Sequence, residues 1–566
     1  MYRCKMILIV GIVLLASNLS FALEGELRGV LSIWDSPFRV TGHLTVPAGD
    51  SLTIDPGVVL QFAGLYKFNV YGTLIAVGTQ KDTIRFEHLF LTVGGWDGIR
   101  FEGSAGGVSK LQYCRVMNGM RAIGIAGGAN PRISNSRILD SKSGIIITSS
   151  KGVIEQCHIS ATDGTGILVE GSSNTIIRNN WIFDCFVNGV IVTETAKASV
   201  DSNYISVNKI GIRVSTTQAC SLKWNQVMSC GDHGINLGTT NGTVLYRNII
   251  SRSDGNYGIE VNRANNTHLI GNTVADNVIT GIHIYASNGV RVMNNVSINN
   301  GRHGIECQTA TPQMLNNLFH GNRQTNYTGV EAGETDLQVP PVFDMEYWPF
   351  EGSPVIDVGN GIAPRDPDGT PPDIGARFFN QNLPPVITDF QPEILDNAEG
   401  LVDINFSVTA MDPEGKQLYY RWYLNGVKQG ETQSAYTYTP TSDGKFNLVV
   451  VVDDKLYLGT DSVMWAFFVG VPEEETAVPV QFSVAEPYPN PFNATTNISF
   501  ILPSRGNVTV ELNDLAGSRV STLYSGEMGA GKQSIILNGD QLSTGVYILT
   551  VRSPFGVQNK KVVLLK

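Results

Sequence analysis

At 566 residues the chain is too long for a single hydrophobic core, so three or four domains are expected. Only 16% of the residues are charged while 60 are Gly, a profile that suits an all-β chain with many turns and few long helices. A formal net charge of -11 argues against a nucleic-acid partner, because phosphates demand clustered Lys and Arg, and leaves a neutral glycan, a cation or a basic partner open.

Arg3 and Lys5 precede an apolar run from Met6 to Leu15, which is too short for a bilayer span of ~20 residues. Ser20-Phe21-Ala22 then places small residues at both key positions of a cleavage site, so residues 1–22 read as a secretory signal peptide. No later stretch approaches transmembrane length. Six cysteines follow: Cys114, Cys157, Cys185, Cys220, Cys230 and Cys307. They lack the paired short spacing of a zinc site. Most fall at repeat positions otherwise held by Asn or small apolar residues, so buried free thiols are expected rather than disulfides.

From there the chain repeats itself. Gly followed by Ile or Val recurs at Gly144, Gly166, Gly189, Gly211, Gly234, Gly258, Gly281 and Gly304, with successive differences of 22, 23, 22, 23, 24, 23 and 23. A second motif, Asn-x-Ile/Val, keeps step at Asn180, Asn203, Asn225, Asn248, Asn272, Asn295 and Asn317. Each Gly opens an alternating strand of three to five residues, as in Gly281-Ile282-His283-Ile284-Tyr285. Such a strand cannot stand alone. Stacking its equivalents ~4.8 Å apart in parallel buries one apolar column, which predicts an all-β fold dominated by a right-handed parallel β-helix. The repeating Gly predicts a corner with positive φ or a close backbone approach. The repeating Asn predicts a side-chain amide ladder. Leucine-rich repeats and propellers are excluded by the missing Leu pattern and by the short period.

Earlier coils are less regular, as capping repeats are. Gly42-His43-Leu44-Thr45-Val46-Pro47-Ala48-Gly49, Leu52-Thr53-Ile54-Asp55-Pro56-Gly57-Val58, Tyr71-Gly72-Thr73-Leu74 and Trp96-Asp97-Gly98-Ile99-Arg100-Phe101 together resemble the opening of bacterial pectin-lyase-like right-handed β-helix proteins. Ser353-Pro354-Val355-Ile356-Asp357-Val358-Gly359, Asp366-Pro367-Asp368-Gly369-Thr370 and Asp373-Ile374-Gly375-Ala376 are similar to their closing segment. The resemblance spans residues 24–380. The enzyme signatures of that fold are not evident. There is no compact Asp set with an Arg as in pectate lyases, no paired Asp as in polygalacturonases (Asp232-His233-Gly234 is a faint echo of their Gly-His-Gly), and no alginate epimerase motif.

Two small β-sandwich domains are expected next. Leu383-Pro384-Pro385 punctuates the chain, and residues 384–470 hold short strands, the hairpin signal Asn425-Gly426 and Trp422 at a core position. With the turn Asp412-Pro413-Glu414-Gly415, this segment resembles immunoglobulin-like modules of the PKD and cadherin-like kind, which are most often spacers. Residues 471–480 form an acidic linker. Residues 481–566 resemble the C-terminal sorting domain of the type IX secretion system, through Pro489, Asn490, Pro491, Phe492 and Asn493 and later Gly545 and Tyr547, with Ala494 where that family commonly has Pro. The resemblance implies engagement of that secretion machinery, passage across the outer membrane, removal of the domain, and retention at the surface or release.

Chemistry is sought on the outward side chains of the coils. The residue two after each Gly runs Ile146, Leu168, Ile191, Arg213, Asn236, Glu260, His283 and Glu306. The residue four after ends in Asn262, Tyr285 and Gln308, and the positions before the Gly add Asp232, His233, Tyr257, Arg302 and His303. The face therefore turns polar toward the C-terminal coils. Glu260, His283 and Glu306 are the candidate acid–base set. Arg213, Asn236, Asn262, Tyr285, Gln308, His233 and His303 are the candidate binding set. A solvated polar sheet face is the competing reading. Asp366, Asp368 and Asp373 form a candidate Ca²⁺ site of hard oxygen ligands, against a plain turn at the helix end. The expected protein is a secreted surface β-helix that binds polysaccharide or a surface partner. The alternatives are a polysaccharide lyase or glycoside hydrolase working in a groove, and a non-catalytic structural protein.

Overall fold

A computed structural model describes residues 21–564 apart from 104–107, 396, 399–401, 457, 471–481, 491, 493, 494, 515–517, 540 and 541. The signal-peptide expectation (all but its last two residues) and the linker at 471–480 lie outside the described residues, as do Pro491 and Asn493 of the sorting motif.

Each regular coil holds three short strands. One such coil runs through Thr280–Tyr285, Arg291–Met293 and Val296–Ile298, and the next begins at His303–Gln308. Equivalent strands pair in parallel, giving a first, a second and a third sheet named in that order. The second sheet has 13 strands; the other two join into 26 because Phe38–Val46 pairs around a corner with both Val59–Phe62 and Lys67–Val70. The expected β-helix is the observed fold.

Alternation decides what is inside. Ile282, Ile284, Val292 and Ile305 are fully buried in one continuous core that runs from Leu27 to Phe319. Every fully buried aliphatic side chain of this kind adds roughly 1.5–3 kcal/mol of apolar burial.

The amide ladder forms as expected. Asn225 Nδ2 donates to Asn248 Oδ1 at 2.9 Å, and Asn248 Nδ2 donates to Asn272 Oδ1 at 2.9 Å and to the Leu222 carbonyl at 2.9 Å. It ends on Asp336, which accepts from the backbone and the amide of Asn317. A second ladder, absent from the sequence reading, joins Asn277, Asn300 and Asn322 at the next corner. Its earlier rungs are Cys185 and Ser253, whose N–H groups donate to Asn208 and Asn277. All six described cysteines are free and buried.

Positive φ falls mainly on non-Gly residues just before each ladder rung, such as Arg247, Asn294 and Asn316. The repeating Gly serves close approach instead. A Cβ on Gly258 would meet Asn277 Nδ2 at 2.7 Å and the Gly281 carbonyl at 2.8 Å.

Residues 337–378 begin on the last coil, where Leu337 pairs in parallel with Leu318. They lie over the outward face of the third sheet in its last coils, where Ile249, Val296 and Leu318 point outward and bury against Tyr347, Val355 and Ile374.

Residues 386–469 form a three-stranded and a five-stranded sheet, largely antiparallel, around Phe406, Trp422, Leu448, Val450 and Trp465. Trp422 is fully buried and stacks on Trp465 with ring centroids 5.9 Å apart. The Asn425-Gly426 hairpin is present, with φ of 48° and 79°. Residues 483–564 form a three-stranded and a four-stranded antiparallel sheet around Ile498, Phe500, Val510 and Leu549. No helix among the described residues is long and apolar enough to cross a membrane.

Candidate functional site

Strand register builds the site. Across the first sheet Arg213 pairs with Asn236, Asn236 with Glu260, Glu260 with His283 and His283 with Glu306. The neighbouring column pairs Asn262 with Tyr285 and Tyr285 with Gln308. Both predicted columns are therefore real neighbours, held outward by the inward Ile and Val on either side.

Glu260 is the hub. Its Oε2 lies 3.2 Å from His233 Nε2 and accepts a hydrogen bond from Asn236 Nδ2. Its Oε1 accepts from Asn262 Nδ2 at 3.3 Å and lies 3.9 Å from His283 Nδ1. Burial pushes this carboxyl up, but the His233 hydrogen bond and charge, with Asn262 and His283, outweigh it and hold Glu260 below its ordinary value. Asp232 Oδ1 lies 3.0 Å from His233 Nδ1 but off the N–H direction, so it contributes charge without a hydrogen bond.

His283 is outward yet only 5% exposed, because the Tyr257 ring covers it at 4.2 Å and 15° from parallel. Tyr285 flanks it on the other side, with centroids 6.4 Å apart. Neither His283 nitrogen has a hydrogen-bond partner. Burial lowers its pKa, and the charges of Glu306 and Glu260 do not restore it, so the ring is neutral at pH 7. Glu306 accepts from Gln308 Nε2 at 2.8 Å. His303 Nδ1 contacts the hydroxyls of Thr325 and Thr328 at 2.8 and 3.1 Å. Arg213 is exposed.

Four participants were missed. Thr280 sits beside Tyr257 in register, with its hydroxyl 3.5 Å from Glu306. Thr325 and Thr328 belong to a last coil without a Gly-Ile signal, which the second Asn ladder would have revealed at Asn322. Arg263, the fourth, places its guanidinium 5.6 Å from the Tyr285 ring centre.

The calcium expectation is corrected by what the three aspartates bond. Asp366 pairs with Arg247 and accepts from the Asp373 backbone. Asp368 accepts from Thr370 and from the Gln381 backbone. Asp373 accepts from the backbones of Asp357 and Phe379. Each oxygen is committed to a protein donor, and no group of three or more His, Cys, Asp or Glu among the described residues is placed to hold a metal ion. All three are buried, and burial pushes Asp373 up to about 7. They fasten the segment that covers the third sheet.

In the C-terminal module Asn490 clamps onto the edge of the last strand, Gly556–Leu564, donating to the Lys561 carbonyl at 2.7 Å and accepting from the Val563 N–H at 2.8 Å. Phe492 is buried in the core, Pro489 directly precedes Asn490, and Gly545 opens the strand in which Tyr547 donates to the Ser543 carbonyl at 2.6 Å.

Two regions of the chain match known families. Residues 76–227 and 210–335 match the right handed beta helix region, and residues 486–565 match the secretion system C-terminal sorting domain. The latter is a type IX sorting signal, which marks a chain bound for the cell surface or the outside. No curated protein matches the chain. Among solved structures, the pectate lyase Pel9A is 12% identical over 59% of this chain and 89% of its own, with a TM-score of 0.37. The periplasmic alginate epimerase AlgG is 12% identical over 54% of this chain and 76% of its own, with a TM-score of 0.33. The enzymatically active domain of bacteriophage CBA120 tailspike protein 2 is 10% identical over 89% and 72%, with a TM-score of 0.29.

Proposed function

We propose that this right-handed β-helix chain with a type IX C-terminal sorting domain works at the cell surface as a polysaccharide-binding, adhesin-like protein. The observation that carries the reading is the outward column of Glu260, His283 and Glu306 flanked by Tyr257 and Tyr285. Rigid aromatic faces beside fixed carboxylates and amides can stack on and hydrogen-bond sugar rings. In this reading residues 1–22 are a signal peptide, 24–380 the binding helix, 384–470 an immunoglobulin-like spacer, 471–480 a linker and 481–566 the sorting domain.

Binding is favoured over turnover by the state of the carboxylates. Glu260 already accepts from Asn236 and Asn262 and lies beside His233, which leaves it little capacity as a general base. The unpartnered, neutral His283 supports a second reading, a lyase or hydrolase with His283 as base.

Purified residues 24–470 incubated with acidic and neutral glycans separate the two. Binding without unsaturated products or new reducing ends is expected. Turnover abolished by Glu260→Ala and His283→Ala establishes the enzyme instead. Absence of both binding and turnover leaves a structural surface role. Deleting residues 477–566 is expected to trap the protein in the periplasm; normal export of that truncation refutes the sorting role.

A further inference from the structure

The third sheet carries a different outward column, one residue per coil: Arg85, Arg115, Arg137, His158, Trp181, Tyr204 and Gln226. Parallel stacking spaces their backbones by ~4.8 Å. Like charges directly opposite one another destabilise a sheet, so three consecutive arginines carry a structural cost. Among the ion pairs of the described residues only Arg85 of the three has one, to Glu87 at 4.0 Å. Arg115 Nε is buried without a hydrogen-bond partner. Beyond His158, Trp181 is 59% exposed, and its ring lies 5.4 Å from that of Tyr204.

A cleft of about 530 Å³ opens beside Arg115 and Arg137. Gln80, Thr83, Tyr113 and Asn135 also line it, and no acidic side chain does. Further along this sheet, residues 337–378 cover the outward face from Ile249 onward.

We propose that this face binds an acidic polysaccharide. The carboxylates or sulfates of successive sugars pair with Arg85, Arg115 and Arg137, and a sugar ring stacks on Trp181 and Tyr204. Guanidinium forks match such anions bidentately. The amides and hydroxyls of the cleft suit sugar hydroxyls. A regular row of cations in an otherwise acidic chain fits a polymer of regularly spaced charge rather than one compact anion. The proposal is independent of the polar face around Glu260, which lies on another sheet.

Isothermal titration of the full chain with polygalacturonate, dextran sulfate and neutral dextran tests it. Binding of at least one polyanion, weakening with added salt, and none of neutral dextran are expected. R115Q/R137Q should lower affinity at least tenfold with unchanged thermal melting, and W181A severalfold with the salt dependence kept. R137K alone, which keeps the charge and loses the fork, should fall between and serves if the double variant does not fold. Three results overturn the proposal: no binding of either polyanion; binding that survives R115Q/R137Q and disappears in Glu260→Gln, which assigns the ligand to the other face; or equal or tighter binding of a single-stranded oligonucleotide.

Discussion

The ring of Tyr257 lies flat on the ring of His283, with centroids 4.2 Å apart and planes 15° from parallel. This contact is what lets an outward histidine be buried: Tyr257 closes one face of the imidazole while Tyr285 flanks the other and the strand closes the base. Removing the lid in Tyr257→Ala should return the His283 pKa upward toward its ordinary value of about 6.5. Imidazole proton shifts followed by NMR across pH 5–8 check this, and an unmoved titration would show that Tyr257 is not what shields the ring.

The sign of the pH dependence follows from the same burial. His283 titrates below its unfolded value, so the unfolded chain binds the proton first, and its contribution to stability is lost as pH falls below about 6.5. Glu260, also held below its ordinary value, loses its contribution at still lower pH, as pH falls through its folded pKa. Asp373 runs the other way, because its raised pKa makes ionisation costly as pH climbs through about 7. The expected result is a difference between proteins: between pH 7 and 5 the melting temperature of His283→Phe should fall less than that of the wild type.

Asn248 is a rung with neighbours above and below. Its Oδ1 accepts from the backbone and the amide of Asn225, and its own amide donates to Asn272 and Leu222. Asn248→Ala leaves buried groups on two coils unpaired, each costing about 1–3 kcal/mol. A loss of about 3 kcal/mol or more in urea unfolding of the β-helix is expected. Asn241→Ala, on the exposed turn nearby, should change stability by less than about 0.5 kcal/mol.

Gly281 faces a different constraint, since an added Cβ would stand 2.8 Å from the Gly304 carbonyl and 2.6 Å from Asn300 Nδ2. Gly281→Ala should cost about 1–3 kcal/mol through overpacking and a strained second ladder. The open Gly361, where a Cβ meets nothing within 4 Å, is the control and should tolerate Ala.

Arg247 and Asp366 pair with side-chain exposures of only 3% and 0%. Arg247→Met leaves a buried carboxylate uncompensated and should cost about 3–5 kcal/mol, while Arg247→Met with Asp366→Leu should recover much of it. Limited proteolysis within residues 337–378 should accelerate in the single variant and slow again in the double one.

The period of 22–24 residues was sufficient to read the coil, the inward Ile and Val, the first Asn ladder and the pairing of Glu260 with His283 and of His283 with Glu306. All of these depend only on strand alternation and on what lies one period away, which a repeat writes directly into sequence. The second ladder was harder to see, because Cys185, Cys230 and Ser253 interrupt it and a backbone acceptor role is shared by several residue types. The arginine column went unread for a related reason: the Asn-x-Ile/Val motif that marks its position at Trp181, Tyr204 and Gln226 is missing from the earlier coils, so only register aligns Arg85, Arg115 and Arg137. What tertiary structure alone decided is which outward faces stay open. Residues 337–378 return over the third sheet and turn Asp366, Asp368 and Asp373 into fasteners for that cover, and Tyr257 folds over His283. The cover joins residues whose separation in sequence obeys no period, and the ring contact depends on which way Tyr257 turns one coil away, so alternation places these groups outward but cannot say what will cover them.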